Sequence, residues 1–207
     1  MRDQSPSRTG QPAADEGVTP PYVQDVSLIE RVEQLPPLNV VRVELADGTT
    51  AEMRPIEAGD AAGLLRFHGT LSTETTYLRF FCVHPQLSKY ELERFTHVDH
   101  RDREAIVATI DDDIAGVARY DRLDNQQDAE VAFVVTDRWQ GHGLGSAMFR
   151  ELAQRARQAG ITRFVADTLP SNSKMLTVFH DTGLSMTSKL RDGVVHLVIH
   201  LEEGHDR

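Results

Sequence analysis

The chain has 207 residues, of which 40% are hydrophobic and 26% charged, and its formal net charge is −10. That size and composition fit one globular domain with appendages. No uncharged apolar run approaches the roughly 18 residues of a membrane span, and the acidic balance excludes a general nucleic-acid binder, which needs a basic face to neutralise phosphates.

The charge is spread along the chain, with −4 over residues 1–56 and −6 over the remainder. The first twenty residues, MRDQSPSRTGQPAADEGVTP, hold no apolar stretch. No secretory signal is therefore expected, and the cytoplasm is the default compartment. The single cysteine, Cys82, excludes an internal disulfide framework and a Cys-based zinc cage. Following Phe80-Phe81, it reads as a small buried hydrophobe. Only Lys89, Lys174 and Lys189 among 22 basic residues are lysine, a bias that fits a bacterial genome of high GC content.

Residues 1–38 read as an N-terminal extension and 39–207 as the domain. Ser, Pro, Gly, Gln and Asp dominate the first 21 residues, which carry too little apolar surface to offset their ordering entropy. A short apolar cluster (Val26, Leu28, Ile29, Val32, Leu35) then ends at Pro36-Pro37. A strand is expected over residues 39–46, with Asp47-Gly48 as a hairpin turn and Thr49 to Arg54 as the return strand. Three helices follow: one opened near Asp60, one at Ser72 and one over Leu87 to Phe95.

From Ala105 the pattern becomes β. Ala105–Ile110 and Ile114–Tyr120 flank the turn Asp111-Asp112-Asp113, which is more simply a solvated hairpin than a calcium site. Ala129–Val135 is a nearly continuous apolar run, as expected of a strand covered on both faces. Leu144 to Gln158 carries an apolar stripe at helical spacing and ends at Gly160. A strand (Ile161–Ala166), a helix opened by Ser171 or Asn172, and two strands around Asp192-Gly193 complete the chain. The fold class is α+β, a mixed and mainly antiparallel sheet flanked by helices in a single domain.

The chemistry concentrates in Val134-Val135-Thr136-Asp137-Arg138-Trp139-Gln140-Gly141-His142-Gly143-Leu144-Gly145-Ser146. Here a buried strand runs into a glycine-rich turn that opens a helix. Alternate glycines leave successive backbone N–H groups uncovered, and the helix start adds unpaired donors and a partial positive charge. This is an anion cradle suited to a phosphate or pyrophosphate. It is not a Walker A loop, which ends in Gly-Lys-Ser/Thr, nor a dinucleotide fingerprint opening a βαβ unit. His97-x-x-His100 has no third ligand nearby, so no metal is expected.

Gln140-x-x-Gly143-x-Gly145, between a central strand and a long helix, resembles the acyl-CoA pyrophosphate loop of the GNAT superfamily of N-acetyltransferases. Asn172-x-x-Met175-x-x-x-Phe179-x-x-x-Gly183-Leu184 resembles a second segment of that family, and the likeness spans about 52–200. Met53-Arg54-Pro55-Ile56, Leu71-Ser72 through Arg79-Phe80-Phe81, and Ala129 to Val135 resemble the catalytic domain of bacterial Pat-type protein lysine acetyltransferases. Relatives of that type often fuse this domain to a cyclic-nucleotide-binding or acyl-CoA-synthetase-like domain. The 50 or so residues before Met53 are too few for either, so no large regulatory module is expected.

The resemblance implies direct attack of an amine on a CoA thioester, with acetyl-CoA as co-substrate. Backbone N–H groups of Gly141, His142, Gly143, Leu144, Gly145 and Ser146, with Gln140, would hold the pyrophosphate. The backbone of Val134, Val135 and Thr136 would run beside the pantetheine arm, with the amide of Val134 or a close neighbour as oxyanion donor. Arg138, His142 and Arg150 would answer the remaining CoA charge, and Asn172 would contact pantetheine. Glu130 is the candidate general base. It shares a sheet face with Val134, and a carboxylate can deprotonate an amine whose free pKa is about 10.4. Phe179 stands where many relatives place a tyrosine acid, leaving Ser173 or a water as proton donor. The expected acceptor is a protein lysine, with acyl-CoA synthetases as a substrate class, or else a small amine, amino acid or antibiotic. An acidic surface near the groove would suit a cationic peptide. A weakly catalytic acyl-CoA sensor is the third reading, which Glu130 and the intact cradle argue against.

Overall fold

The computed structural model describes residues 40–202. The expected extension over residues 1–38 lies outside them. The strands are β1 (Val41–Glu44), β2 (Thr50–Pro55), β3 (Arg103–Ile110), β4 (Asp113–Arg122), β5 (Asp128–Val135), β6 (Arg163–Thr168), β7 (Met186–Arg191) and β8 (Val194–His200). Helices α1 (Ala61–Thr70), α2 (Thr73–Phe80) and α3 (Lys89–Thr96) lie between β2 and β3 in sequence. Helix α4 (Leu144–Gln158) links β5 to β6, and α5 (Ser173–His180) links β6 to β7. The eight strands form one sheet in the order β1-β2-β3-β4-β5-β6-β8-β7. Only the β5–β6 pair is parallel.

Local chemistry sets most of these boundaries. Gly48 turns the first hairpin at φ 84°, and Asp47 accepts the Thr49 N–H at 3.0 Å. Asp111 and Asp112 take φ 52° and 66°, and Asp192 and Gly193 take 52° and 80°. Both pairs have the backbone sign that two-residue hairpins require. Ser72 caps α2 through the Thr75 N–H, and Ser88 forms a capping box with Glu91 on α3.

The sheet is sandwiched. Its α4–α5 face carries the larger core, including Ala129, Val131, Phe133, Val135, Met148, Phe149 and Phe179. The α1–α3 face carries a smaller core around Ile56, Leu64, Phe67, Ala105 and Val107. The period-2 alternation therefore sends Glu130, Ala132 and Val134 toward the α1–α3 side.

Three expectations need correction. β5 is not covered on both faces: Glu130 is exposed and Ala132 and Val134 are half-buried, because α1–α3 leave the face near Glu130 open. Cys82 is exposed, not buried, because Phe81 ends α2 at φ 59° and turns the chain outward. β6 begins at Arg163, not Ile161, because the Ile161 N–H is spent on the Ala156 carbonyl at the end of α4.

One close contact ties the sheet to α4. The β3–β4 register shifts between Ala108 and Thr109, leaving Ala115 as a bulge whose carbonyl accepts the Thr136 N–H at 2.9 Å. At the adjacent Gly116, an added Cβ would lie 2.7 Å from Met148 Sδ, and Met148 is fully buried. Gly116→Ala should lower unfolding free energy by about 1–3 kcal/mol, the usual range for overpacking. Equilibrium denaturation checks this, and a loss below about 0.5 kcal/mol would mean that Met148 swings aside at little cost.

Candidate active site

β5 and β6 pair only over Asp128↔Arg163, Ala129↔Phe164 and Glu130↔Val165. Beyond that point each strand holds its other neighbour: β5 stays on β4 through Val135, and β6 stays on β8 through Thr168. A gap opens between them. The Leu123 N–H bonds to the Asp128 carbonyl and the Thr136 N–H to the Ala115 carbonyl. Even-numbered residues of β5 therefore direct their main-chain groups to β4, and odd-numbered ones direct them away. The Val135 carbonyl accordingly accepts from Gln140 Nε2 at 3.0 Å on the gap side. The amides of Phe133 and Val135 face the gap. Val134 contributes a side chain to the α1–α3 face and its amide belongs to β4, so of the expected Val134 or a close neighbour it is the neighbours whose amides face the gap.

The turn after β5 makes the cradle. Gly141 and Gly143 take φ 80° and 88°, in the left-handed region that glycine enters without penalty. The first bond inside α4 runs from the Ala147 N–H to the Gly143 carbonyl, and no side chain caps the helix. The N–H groups of Leu144, Gly145 and Ser146 therefore have no helical acceptor. A Cβ on Gly145 would sit 3.3 Å from Val178 and 3.7 Å from Phe133, so glycine also permits close approach of α4, α5 and β5.

Side chains lock this turn in place. Asp137 accepts from the Ser72 N–H (2.9 Å), Ser72 Oγ (2.7 Å) and Thr75 Oγ1 (2.8 Å). Burial acts to raise the Asp137 pKa, but the Ser72 and Thr75 hydrogen bonds outweigh it and hold the carboxyl below its ordinary range. Gln140 Nε2 also donates to Thr75 at 3.1 Å, and Gln140 Oε1 accepts from Lys174 on α5 at 2.8 Å. Gln140 thus spends its side chain on holding the loop, and Lys174 brings a cation to the rim. Arg138 stacks on Trp139 at 4.7 Å, His142 Nδ1 lies 3.0 Å from the Gln140 carbonyl, and Arg150 is exposed on α4. Asn172 caps α5, its Oδ1 accepting the Met175 N–H at 3.2 Å. Phe179 is 2% exposed and packs edge-on against Phe133 and Phe149, so it is a core residue.

Glu130 stands where the gap begins, exposed on the α1–α3 face. Its surroundings are not acidic. Asp121, its register partner, accepts from Arg103 and Arg119 at about 3 Å, and Arg94 lies 3.9 Å from it. Burial, helped by the neighbouring Arg119 charge, pulls Arg79 down to about 10 against the opposing pull of Glu130 and Asp121, so it remains a cation at neutral pH. Four arginines thus face two carboxylates here. The sequence reading missed Asp137, Thr75, Lys174, Arg79 and Arg119. Alternation along Val117, Arg119 and Asp121 was the available signal for a charged stripe on this face.

The profile of the Acetyltransferase (GNAT) family matches residues 72–183. Acetyltransferase Pat of Mycolicibacterium smegmatis is 32% identical over 146 residues, which is 69% of this chain and 44% of Pat. The chain thus spans less than half the length of that relative. The GNAT domain of S. lividans PAT superposes with a TM-score of 0.74 at 41% identity, over 78% of this chain and 96% of that one. The yncA protein of Salmonella typhimurium, solved with acetyl-CoA, shares the fold at TM-score 0.59 and 16% identity, over 75% of this chain and 96% of its own. The glycine-rich turn, the gap beside β5 and these likenesses agree: the chain belongs to the GNAT family of acyl-CoA-dependent acetyltransferases.

Proposed function

We propose that the chain moves the acetyl group of acetyl-CoA to the ε-amine of a protein lysine, with Glu130 as general base. The position of Glu130 carries this reading. It is the last β5 residue paired to β6, on the open face, beside the gap into which the Phe133 and Val135 amides point. A thioester held along β5 would place its carbonyl oxygen within reach of those amides, which lack a β-sheet partner on that side. The free donors of Gly141 to Ser146, with Lys174 at the rim, fit an anionic pyrophosphate.

The reaction needs a neutral amine. Glu130 takes the proton, the nitrogen attacks the thioester carbon, the C–S bond breaks, and CoA leaves as the thiolate. Phe179 offers no proton, so water or the exposed Ser173 protonates the leaving group. The open mouth around Glu130 suits a long lysine side chain on a folded protein, and the choice of a protein acceptor of the acyl-CoA synthetase class rests on the resemblance of this sequence to Pat-type lysine acetyltransferases. The arginines near Glu130 favour a second reading, in which the acceptor is a small amine that carries its own anionic group. A bacterial, cytoplasmic setting is part of the same proposal.

Three measurements test it. Glu130→Gln should leave acetyl-CoA affinity intact and cut turnover more than tenfold at neutral pH; unchanged turnover removes Glu130 from the base role. Gly143→Ala should raise the KM for acetyl-CoA about tenfold, because alanine in the left-handed region costs about 1–2 kcal/mol and shifts the cradle amides. A thiol-release assay with acetyl-CoA and a panel of proteins and small amines, read by mass spectrometry, should show label on protein lysine. Label on small amines alone would exclude the protein acceptor.

A further inference from the structure

A small cavity, of about 40 Å³, lies on the α1–α3 side of the sheet against β5. Val117 and Arg119 of β4 and Ala132 and Val134 of β5 line its sheet side, and Leu64 and Phe67 of α1 line it from above. Register explains the sheet side. Val117 pairs with Val134 and Arg119 with Ala132, and paired residues share a face. The wall is almost wholly apolar, and Arg119 is committed to Asp121 through Nε and Nη2 at 2.7–3.1 Å.

Ala132 joins this cavity to the gap. Leu64 and Phe67 are buried, whereas Ala132 and Val134 are half-buried and reach the open face. Ala132 stands between Glu130 and Val134 on that face, and its methyl is the smallest side chain of the three. It leaves a low saddle over β5, next to Phe133, whose amide points into the gap. Apolar cavities hold water poorly and accept apolar groups, and this volume has room for roughly three groups of water size. A methylene is about that size.

We propose that this cavity receives the alkyl tail of the acyl group on CoA, so that the enzyme transfers straight-chain acyl groups up to about three carbons longer than acetyl. The inference rests on acyl transfer at the Glu130 end of the gap. With the thioester oxygen on the Phe133 amide, the first acyl carbon lies beside Ala132, and the remaining carbons cross the saddle into the cavity. The bonds that change are those of acetyl transfer. The amine nitrogen bonds to the thioester carbon, the C–S bond breaks, Glu130 receives the amine proton and CoA leaves as the thiolate. The tail takes no part in the chemistry and adds about fourfold in affinity per buried methylene. The stem of an acceptor lysine is the wrong occupant. Its amine must emerge at the thioester, so the stem arrives from solvent and not from a cavity roofed by α1.

Initial rates of the full chain with acetyl-, propionyl-, butyryl- and octanoyl-CoA and one lysine acceptor test this. Propionyl- and butyryl-CoA should match or exceed acetyl-CoA in kcat/KM, and octanoyl-CoA, too long for the volume, should fall at least tenfold. Ala132→Val should lower the butyryl-to-acetyl ratio at least tenfold, and Val117→Ala, which deepens the cavity, should raise it. Calorimetric titration with S-ethyl-CoA and S-butyl-CoA reads the tail without turnover, the butyl compound binding several-fold more tightly. Thermal melts confirm that the variants fold, and the unmodified chain with the donor series and the thioethers decides even if they do not. Acetyl transfer intact with butyryl transfer more than tenfold weaker would overturn the inference. An Ala132→Val chain with an altered KM for the lysine acceptor and an unchanged donor ratio would assign the cavity to the acceptor and overturn it as well. No transfer from any donor, with both thioethers bound equally, would overturn it along with the transferase reading. No transfer with the butyl compound bound more tightly would overturn the transferase reading alone.

Discussion

The site depends on one parting of strands. β5 and β6 run parallel for three residue pairs and then separate after Glu130↔Val165. Each is held elsewhere, β5 by β4 and β6 by β8. Packing beneath the gap keeps it open. Phe133 of β5, Phe149 of α4 and Phe179 of α5 meet edge-on, with centroids 5.6–6.4 Å apart, and wedge both helices under the gap. The separation leaves main-chain donors of β5 without a strand partner. In a closed sheet this would be a defect, since unpaired buried amides are costly. Here it creates a slot with Glu130 at its narrow end and the glycine-rich turn at its wide end.

Charge is organised locally, against the overall balance. The chain carries −10, yet a CoA thioester is itself anionic. On the proposed reading the turn answers with dipoles instead of net charge: Gly143 frees the first-turn amides of α4, and Asp137 with Gln140 fixes the turn that presents them. Lys174 adds one cation at the rim. On the opposite side of β5 a second reversal occurs, where Arg79, Arg94, Arg103 and Arg119 surround Asp121 and Glu130. Short-range fields in partly buried sites outweigh distant surface charges, which salt screens within about 10 Å. Net charge therefore says little about what either site attracts.

The interaction of Asp137 with Ser72 and Thr75 joins these parts. It ties the start of α2 to the turn after β5. Through α2 it also fixes Arg79, seven residues beyond Ser72, above the β5 face. The same serine caps its own helix. One cluster of short polar side chains thus sets both the glycine-rich turn and the position of Arg79. In the sequence, Ser72 reads as a helix cap and its tie to Asp137 is not visible, because that partner lies 65 residues away.

Much of the fold was legible in the sequence because its causes are local. The Asp-Gly and Asp-Asp turns, the serine caps, the stripe of α4 and the glycine turn each follow from neighbouring residues and from periods of 2 or 3.6. Alternation alone placed Glu130 and Val134 on one face. Tertiary structure decided the rest. It decided where β5 and β6 stop pairing, and so that Phe133 and Val135, not Val134, offer their amides. It exposed Cys82 and left one face of β5 open. It also brought Arg79 of α2, Arg119 of β4 and His68 of α1 to one cavity. None of these follows from spacing, because strand divergence and the meeting of distant elements are settled by packing across the whole sheet, where no single segment carries the information.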